Sequence, residues 1–121
     1  MLGFRTDTLP LFYSARGGPP VAARVETVEE AATIARAHWE LGGRGLLLAR
    51  LPDESLDDAE PLIEEALHEA DARGVSGQDV TPFVLSLLHE RSGGRTLAAN
   101  RALVVANAGL AAELALSLDR R

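Results

Sequence analysis

The sequence predicts an α/β fold in which about three short strands form a partial layered sheet covered by about four helices. Three observations lead to this prediction: a first stretch rich in glycine and proline, one short apolar run behind a glycine turn, and later segments with the apolar period of a helix. Three short strands make a thin sheet for four helices to cover. We expect a single domain over residues 1–121 whose incomplete sheet is a piece of a larger domain.

The first 24 residues contain too many glycines and prolines for a long helix. They leave room for short extended segments, and we predict strands at residues 2–4 and 21–24. Gly17-Gly18 lies beside Pro19-Pro20, which favours a plain turn over a phosphate-binding loop.

The next two elements have clear local signals. Thr27 and Glu30 have the spacing of a capping box and predict a helix that runs to about Leu41, before Gly42-Gly43. Residues 45–49 are a short apolar run after a glycine turn, which is typical of a strand buried on both faces. We predict that this run is the central strand.

Three further helices are predicted in the second half. The first follows Asp57-Asp58 and ends at Gly74, and the second begins with Thr81 as N-cap and Pro82 as the first helical residue. That second helix ends at Gly93-Gly94. We expect Thr96 to cap the last helix.

The last helix carries two asparagines seven residues apart, Asn100 and Asn107. Helical spacing predicts one apolar face at positions 97, 100, 104, 107, 111, 114 and 118. Both amides would then point toward the core, where each needs a hydrogen-bonding partner from the protein or from a ligand. The apolar stretch 102–118 is marginal in length for a bilayer, and we interpret it as a buried or interface helix.

Composition excludes several classes of function. Eighteen acidic against twelve basic residues give a net charge of −6, which makes general nucleic-acid binding unfavourable. All twelve basic residues are arginine, so any mechanism that requires a lysine amine is closed to this chain alone. Without cysteine there is no disulfide or thiolate metal site, and without an apolar leader we expect a cytoplasmic protein that binds neither membrane nor nucleic acid.

Several blocks together resemble the C-terminal part of the pseudouridine-5′-phosphate glycosidase family, also called indigoidine synthase A-like proteins. The blocks, in chain order, are Gly3-Phe4-Arg5-Thr6-Asp7 with Pro10, Phe12 and Tyr13; Ala35-Arg36-Ala37-His38-Trp39; Thr81-Pro82-Phe83; and Gly93-Gly94 through Asn107. The resemblance covers nearly the whole chain, whereas a family member is more than twice as long. What is missing is the N-terminal portion.

The resemblance implies cleavage of the C–C glycosidic bond of pseudouridine 5′-phosphate to uracil and ribose 5-phosphate, with manganese as the metal. It also implies that the imine-forming lysine, the acid-base glutamate and the metal-binding aspartate belong to the missing portion, so that this chain is not catalytic alone. Of the family's active-site residues only one carries over, onto Asn100, as a contact to uracil. The family further implies a homo-oligomer, a trimer, and a possible N-terminal half as partner.

Three positions depart from the family pattern. Ala106-Asn107-Ala108 stands where the family reads Asn-Asn-Ala, Arg50-Leu51-Pro52-Asp53 stands where it has Asn-Pro-Ile-Pro, and Ala15 stands where an arginine follows Tyr-Ser. Two alternatives to a split glycosidase therefore stay open: an inactive, self-associating remnant and a small-ligand binding module.

Other conspicuous residues have simpler interpretations. Asn100 itself can tie a loop to the core instead of binding substrate, and Asn107 is interpreted as structural. His38, His68 and His89 lie on different predicted helices without the paired spacing of metal ligands. Trp39 is expected to pack against the sheet or a neighbouring subunit.

Overall fold

The computed structural model describes residues 1–11 and 13–120, and these residues form the expected α/β arrangement. In chain order the elements are β1 (Leu2–Phe4), β2 (Ala23–Val25), α1 (Val28–Glu40), β3 (Leu48–Arg50), α2 (Ala59–Ala72), α3 (Val80–Arg91) and α4 (Arg95–Asp119). A 3₁₀ turn at Gly77–Asp79 leads into α3. Phe12, one of the residues that carry the family resemblance, lies outside the described residues.

The sheet is fully parallel with strand order β2-β1-β3, so Gly3 in β1 stands opposite Arg24 and Ala49. The prediction of a central strand at 45–49 is therefore wrong: β3 begins later, at Leu48, and lies at an edge. An apolar run indicates burial, but strand order depends on pairing between distant segments. The centre belongs to β1, where a side chain on Gly3 would come within 2.1 Å of the Thr6 carbonyl oxygen.

The second strand is displaced from its predicted position. It was expected at residues 21–24 and instead comprises Ala23–Val25. Val25 is almost fully buried, whereas Val21 donates its N–H to the carbonyl of Asp7 at 3.0 Å and so belongs to the preceding loop.

The capping signal of α1 is confirmed. The hydroxyl of Thr27 accepts the Glu30 N–H at 3.2 Å, and the Glu30 carboxylate accepts the Glu26 N–H at 2.7 Å. The first bond satisfies a donor of the first helical turn, whereas the second goes to Glu26, one residue before the N-cap Thr27. The helix ends at Glu40, ahead of Gly42 with its positive φ of 82°.

Helix α2 follows Asp57-Asp58 and ends before Gly74, as predicted. The predicted start of α3 is wrong, because the 3₁₀ turn continues directly into Val80 and Thr81 is already helical. Pro82 is accommodated in the first turn, where its missing N–H leaves no helical bond unmade. The helix ends at Arg91, before Gly93-Gly94, as predicted.

Thr96 does not cap α4. The helix begins at Arg95 after Gly94, whose φ is +86°. The hydroxyl of Ser92 instead accepts the Thr96 N–H at 3.2 Å. Thr96 is buried, and its side chain hydrogen-bonds with the hydroxyls of Ser92 and Tyr13.

The predicted apolar face of α4 is also wrong, by about one residue. The less exposed positions are 96, 99, 100, 103, 106, 110, 114, 117 and 118. Asn100 is half-buried, and Asn107 is exposed at the edge of the packed side. The helix is apolar nearly all round, so its pattern does not distinguish the face that packs.

Two packed regions hold these elements together. The hydrophobic cluster of Tyr13, Ala59, Ala66, Val84 and Leu88 joins the N-terminal loop to α2 and α3. On the other side α1 packs against α4 and β2. The carboxyl end of β3 and α4 line common clefts.

Helix α4 is 25 residues long and reaches a mean hydropathy of 1.5, enough by length and composition to cross a membrane. Its most apolar stretch contains no buried residue. One such helix is weak evidence for a membrane protein, because a core helix of a soluble protein has the same composition.

Candidate functional site

The carboxyl ends of the parallel strands lie at one edge of the sheet, where α/β proteins commonly bind ligands. Arg5 follows β1 there and is the one residue other than glycine, among those the structure describes, with a positive φ, 56°. Its backbone N–H donates to Val25 at 2.7 Å and its Nε to the Glu26 carbonyl at 3.0 Å. These bonds hold the carboxyl ends of β1 and β2 together.

A first cleft of about 310 Å³ opens between the segment after β3 and the first half of α4. The last residue of β3, Arg50, contributes to one wall together with Pro52, Asp53, Glu54 and Leu56 from the segment that follows. The facing wall is Arg95 with the largely alanine side of α4: Ala98, Ala99, Ala102, Leu103 and Ala106. Small side chains here leave space for a ligand against the helix.

Both arginines at this cleft are paired with carboxylates. Arg50 contacts Asp53 at 2.5 Å, and Arg95 contacts both carboxylate oxygens of Asp58, at 2.6 and 3.4 Å. The Arg95 guanidinium lowers the pKa of Asp58 below its ordinary value. Both guanidinium charges are therefore balanced, and Glu54 adds a further negative charge. The described walls of the cleft offer no unpaired cation to an anionic ligand.

A second cleft of about 380 Å³ lies further along α4, against β3 and the loop after β1. Its walls are Leu9, Pro10 and Leu47–Arg50 on one side and Asn107, Leu110, Ala111 and Leu114 on the other. Asn107, interpreted from sequence as structural, is therefore the asparagine that faces a cleft.

Asn100 lies outside the walls of both clefts. It is half-buried, and within residues 1–11 and 13–120 its side chain has no hydrogen bond or ion pair. The structure thus brings neither asparagine into the core, and it separates the two amides instead of joining them in one site.

A polar network that the sequence did not reveal fixes the loop before α2. Asp57 accepts hydrogen bonds from the hydroxyls of Ser55 at 2.5 Å and Ser14 at 2.9 Å, and Ser55 accepts the Ala15 N–H at 2.9 Å. The two hydroxyls, Ser55 first, lower the pKa of the Asp57 carboxyl. The spacing of 43 residues between Ser14 and Asp57 gave no signal in the sequence.

The histidines lie on separate helices, as predicted: His38 on α1, His68 on α2 and His89 on α3. In the part of the chain that the structure describes, no three His, Asp or Glu side chains come close enough to hold a metal ion. The buried Nε2 of His38 lacks a hydrogen-bond partner there and lies against Gly43.

Comparison with known proteins decides the family. The sequence model described as "Indigoidine synthase A like protein" matches residues 1–117. The chain belongs to the indigoidine synthase A-like family. Within this family it is 42% identical to the pseudouridine-5′-phosphate glycosidase of Sorangium cellulosum over 98% of this chain and 39% of that protein. It is also 42% identical to the glycosidase of Caldanaerobacter subterraneus over 99% of this chain and 41% of that protein.

Solved structures show the same family fold. An indigoidine synthase A-like protein from Thermotoga maritima matches with a TM-score of 0.79 and 38% identity, over 98% of this chain and 40% of that one. The prealnumycin C-glycosynthase AlnA, solved in complex with ribulose 5-phosphate, matches with a TM-score of 0.80 and 34% identity, over 97% and 40%. The chain therefore spans about two fifths of the length of its relatives.

The first cleft contains residues from two of the three positions at which the sequence is expected to depart from the family pattern. Arg50, Pro52 and Asp53 belong to the segment expected where the family has Asn-Pro-Ile-Pro, and Ala106 is expected where it has the first asparagine of Asn-Asn-Ala.

Proposed function

We propose that this chain supplies the C-terminal part of a pseudouridine-5′-phosphate glycosidase and acts with a polypeptide that supplies the N-terminal part. The proposal rests on the extent of the match. Nearly all of this chain matches the glycosidases, but it matches only about two fifths of their length. The reaction is cleavage of the C–C bond between uracil and the ribose 5-phosphate.

The nucleophile comes from the other part. Opening the ribose as an imine requires an amine that can be deprotonated and can attack a carbonyl carbon, and lysine provides one. Every basic residue of this chain is arginine, whose guanidinium stays protonated. The chain therefore contributes binding and shape, not the covalent step.

The manganese implied by the family also belongs with the other part. Mn²⁺ prefers several oxygen or nitrogen ligands, and the described residues here bring no three metal-ligating carboxylates or imidazoles together. No step of the reaction is assigned to a metal held by this chain.

For substrate contact we propose Asn100. A carboxamide has both a donor group and an acceptor group, which suits uracil because hydrogen-bond donors and acceptors alternate along its edge. The Asn100 side chain has no hydrogen bond to any residue that the structure describes, so the amide is available to a ligand brought by the N-terminal part. Asn107 provides the comparison, because it faces the second cleft while Asn100 does not.

The test is pseudouridine 5′-phosphate cleavage with manganese, by this chain alone and in a mixture with the lysine-bearing N-terminal part of the Sorangium cellulosum glycosidase. We expect activity in the mixture only, and its loss with Asn100→Ala but not with Asn107→Ala. Activity of this chain alone contradicts the argument from the missing lysine. Loss with Asn107→Ala and not Asn100→Ala would move the contact to the second cleft.

A second candidate is formation of a C–C glycosidic bond. The likeness to AlnA, a C-glycosynthase solved with a pentulose 5-phosphate, favours it. The altered wall of the first cleft is consistent with an aglycone other than uracil. Incubating the mixture with ribose 5-phosphate and either uracil or an aromatic acceptor separates the two reactions by their products.

The stand-alone alternatives predict different behaviour. A self-associating remnant forms an oligomer, for which the family suggests a trimer, and binds neither uracil nor ribose 5-phosphate. A small-ligand binding module binds one of them without chemistry. Sedimentation of the isolated chain and calorimetric titration with each ligand distinguish these alternatives.

A further inference from the structure

The outer face of α4 is apolar although it is exposed. The outer face of α4 is defined here by residues on one side of the helix: Leu97, Arg101, Val104, Val105, Ala108, Ala112 and Leu116. Val104 is 62% exposed, Val105 72% and Leu116 62%. Of the exposed residues between Leu97 and Leu116, only Arg101 and Glu113 are charged.

A surface helix normally presents polar residues to water on the side away from the core. Helix α4 instead has apolar residues on both sides. Its inner side is already occupied by α1, and the guanidinium of Arg36 contacts the carbonyls of Ser117, Leu118 and Arg120 at its end. The helix is therefore docked, and it is the opposite side that lacks a cover.

The relatives indicate which polypeptide packs on the outer face of α4, and this step rests on the proposed function. The same fold occurs in chains of which about three fifths lie outside the match. The described sheet has three short parallel strands with two open edges, and parallel sheets of this kind are enclosed by further structure. An exposed apolar helix face in a chain whose sheet is incomplete is what an absent part of the same fold would leave uncovered.

We propose that the outer face of α4 is the surface on which the N-terminal part of the glycosidase fold docks. The facing surface is apolar, with an acceptor placed for Arg101. A membrane does not fit equally well, because insertion of α4 would break the contacts of Arg36 and expose the buried Thr96 and Ser117.

The test measures affinity between this chain and the N-terminal part of the Sorangium cellulosum glycosidase by sedimentation. We expect Val105→Glu and Val104→Glu each to weaken binding by more than about tenfold, because a carboxylate would be buried in an apolar contact and could pair only by drawing Arg101 away from its acceptor on the N-terminal part. The matched control is Leu67→Glu, a change of similar chemistry at a half-exposed position on α2. It should leave the affinity unchanged.

Folding does not obscure the result. Val104 and Val105 are exposed, and glutamate favours helix more than valine does, so the melting temperature of the isolated chain should not fall. The proposal is overturned if both Glu variants bind the N-terminal part as tightly as the unchanged chain. It is also overturned if they only abolish self-association, or if the unchanged chain floats with phosphatidylcholine vesicles.

The docking surface and the proposed function can be contradicted independently of each other. Tight binding that Val105→Glu disrupts, without any cleavage of pseudouridine 5′-phosphate, supports the docking surface and contradicts the activity. Cleavage that persists with unchanged affinity in Val105→Glu supports the activity and contradicts the docking surface.

Discussion

The guanidinium of Arg36 donates to the carbonyl of Ser117 at 2.5 Å, joining α1 to the end of α4 across 81 residues of sequence. The same Nη2 lies 3.0 Å from the carbonyl of Leu118 and 2.6 Å from that of Arg120. The last carbonyls of a helix have no partners within it and form the negative end of its dipole. A partly buried cation at this position therefore both caps α4 and joins it to α1.

We predict that Arg36→Met lowers the free energy of unfolding by about 2 kcal/mol, since it removes charge-assisted hydrogen bonds from half-buried carbonyls. Arg36→Lys should recover part of the loss. Urea unfolding followed by the fluorescence of Trp39, the single tryptophan, measures the effect. The control is Arg44→Met, because the Arg44 side chain has no bond to any described residue. Equal stability of the Arg36 and Arg44 variants would show that the cap contributes nothing.

Gly43 provides a second prediction, based on space. A Cβ at Gly43 would lie 2.4 Å from two ring atoms of His38 and 2.5 Å from its carbonyl oxygen. Gly43→Ala should therefore destabilise the chain by about 1–3 kcal/mol through overpacking. Gly45→Ala is the matched control, because a Cβ there meets nothing within 4 Å, and it should be neutral or slightly stabilising. A neutral Gly43→Ala would mean that both the His38 ring and the backbone around its carbonyl shift at little cost.

The sequence predicted those features that depend on neighbouring residues. Thr27 caps α1 as expected, and α1, α2 and α3 each end two residues before a glycine with left-handed backbone: Gly42, Gly74 and Gly93. Capping and termination involve residues a few positions apart. Their signals can therefore be read without knowledge of the fold.

Features that depend on distant segments could not be predicted. The central position of β1 results from pairing with β2 and β3 on both sides, and the contact between Arg36 and Ser117 joins residues from opposite ends of the chain. The face of α4 was missed for a related reason: an almost uniformly apolar helix shows which side packs only when its neighbours are in place. The asparagines were identified by residue type, but their orientation was not.

Tyr13 yields a prediction at high pH. Burial raises the pKa of its hydroxyl, and the hydrogen bond to Thr96 offsets this in part. The folded state then holds the phenolic proton more tightly than the unfolded state. The contribution of this group to the free energy of unfolding is therefore fully present below the unfolded pKa of about 10, and it is lost as the pH rises through the folded pKa. Tyr13 is the single tyrosine of the chain, so tyrosinate absorbance reports it alone.

We expect the folded chain to titrate at a higher pH than the urea-unfolded chain. Tyr13→Phe should flatten the decline of stability at alkaline pH and cost about 1 kcal/mol at neutral pH, because the hydrogen bond to Thr96 is lost. Identical titration curves in the folded and unfolded chains would contradict the burial of this hydroxyl.

Asp57 yields the corresponding prediction at low pH. The hydroxyls of Ser55 and Ser14 hold the pKa of its carboxyl below the ordinary value of 3.8. A lowered folded pKa stabilises the protein above the unfolded pKa, and this contribution is lost as the pH falls through the folded pKa. Asp57→Asn should therefore reduce the free energy of unfolding at neutral pH, and the difference from the unchanged chain should shrink below about pH 4.

Chemical unfolding at a series of pH values measures this difference. Asp71→Asn is the control, since the exposed Asp71 side chain bonds to no described residue. A pH-independent loss in Asp57→Asn would instead assign its effect to altered packing of the loop at Ser14, and a loss of equal size in both variants would assign it to net charge.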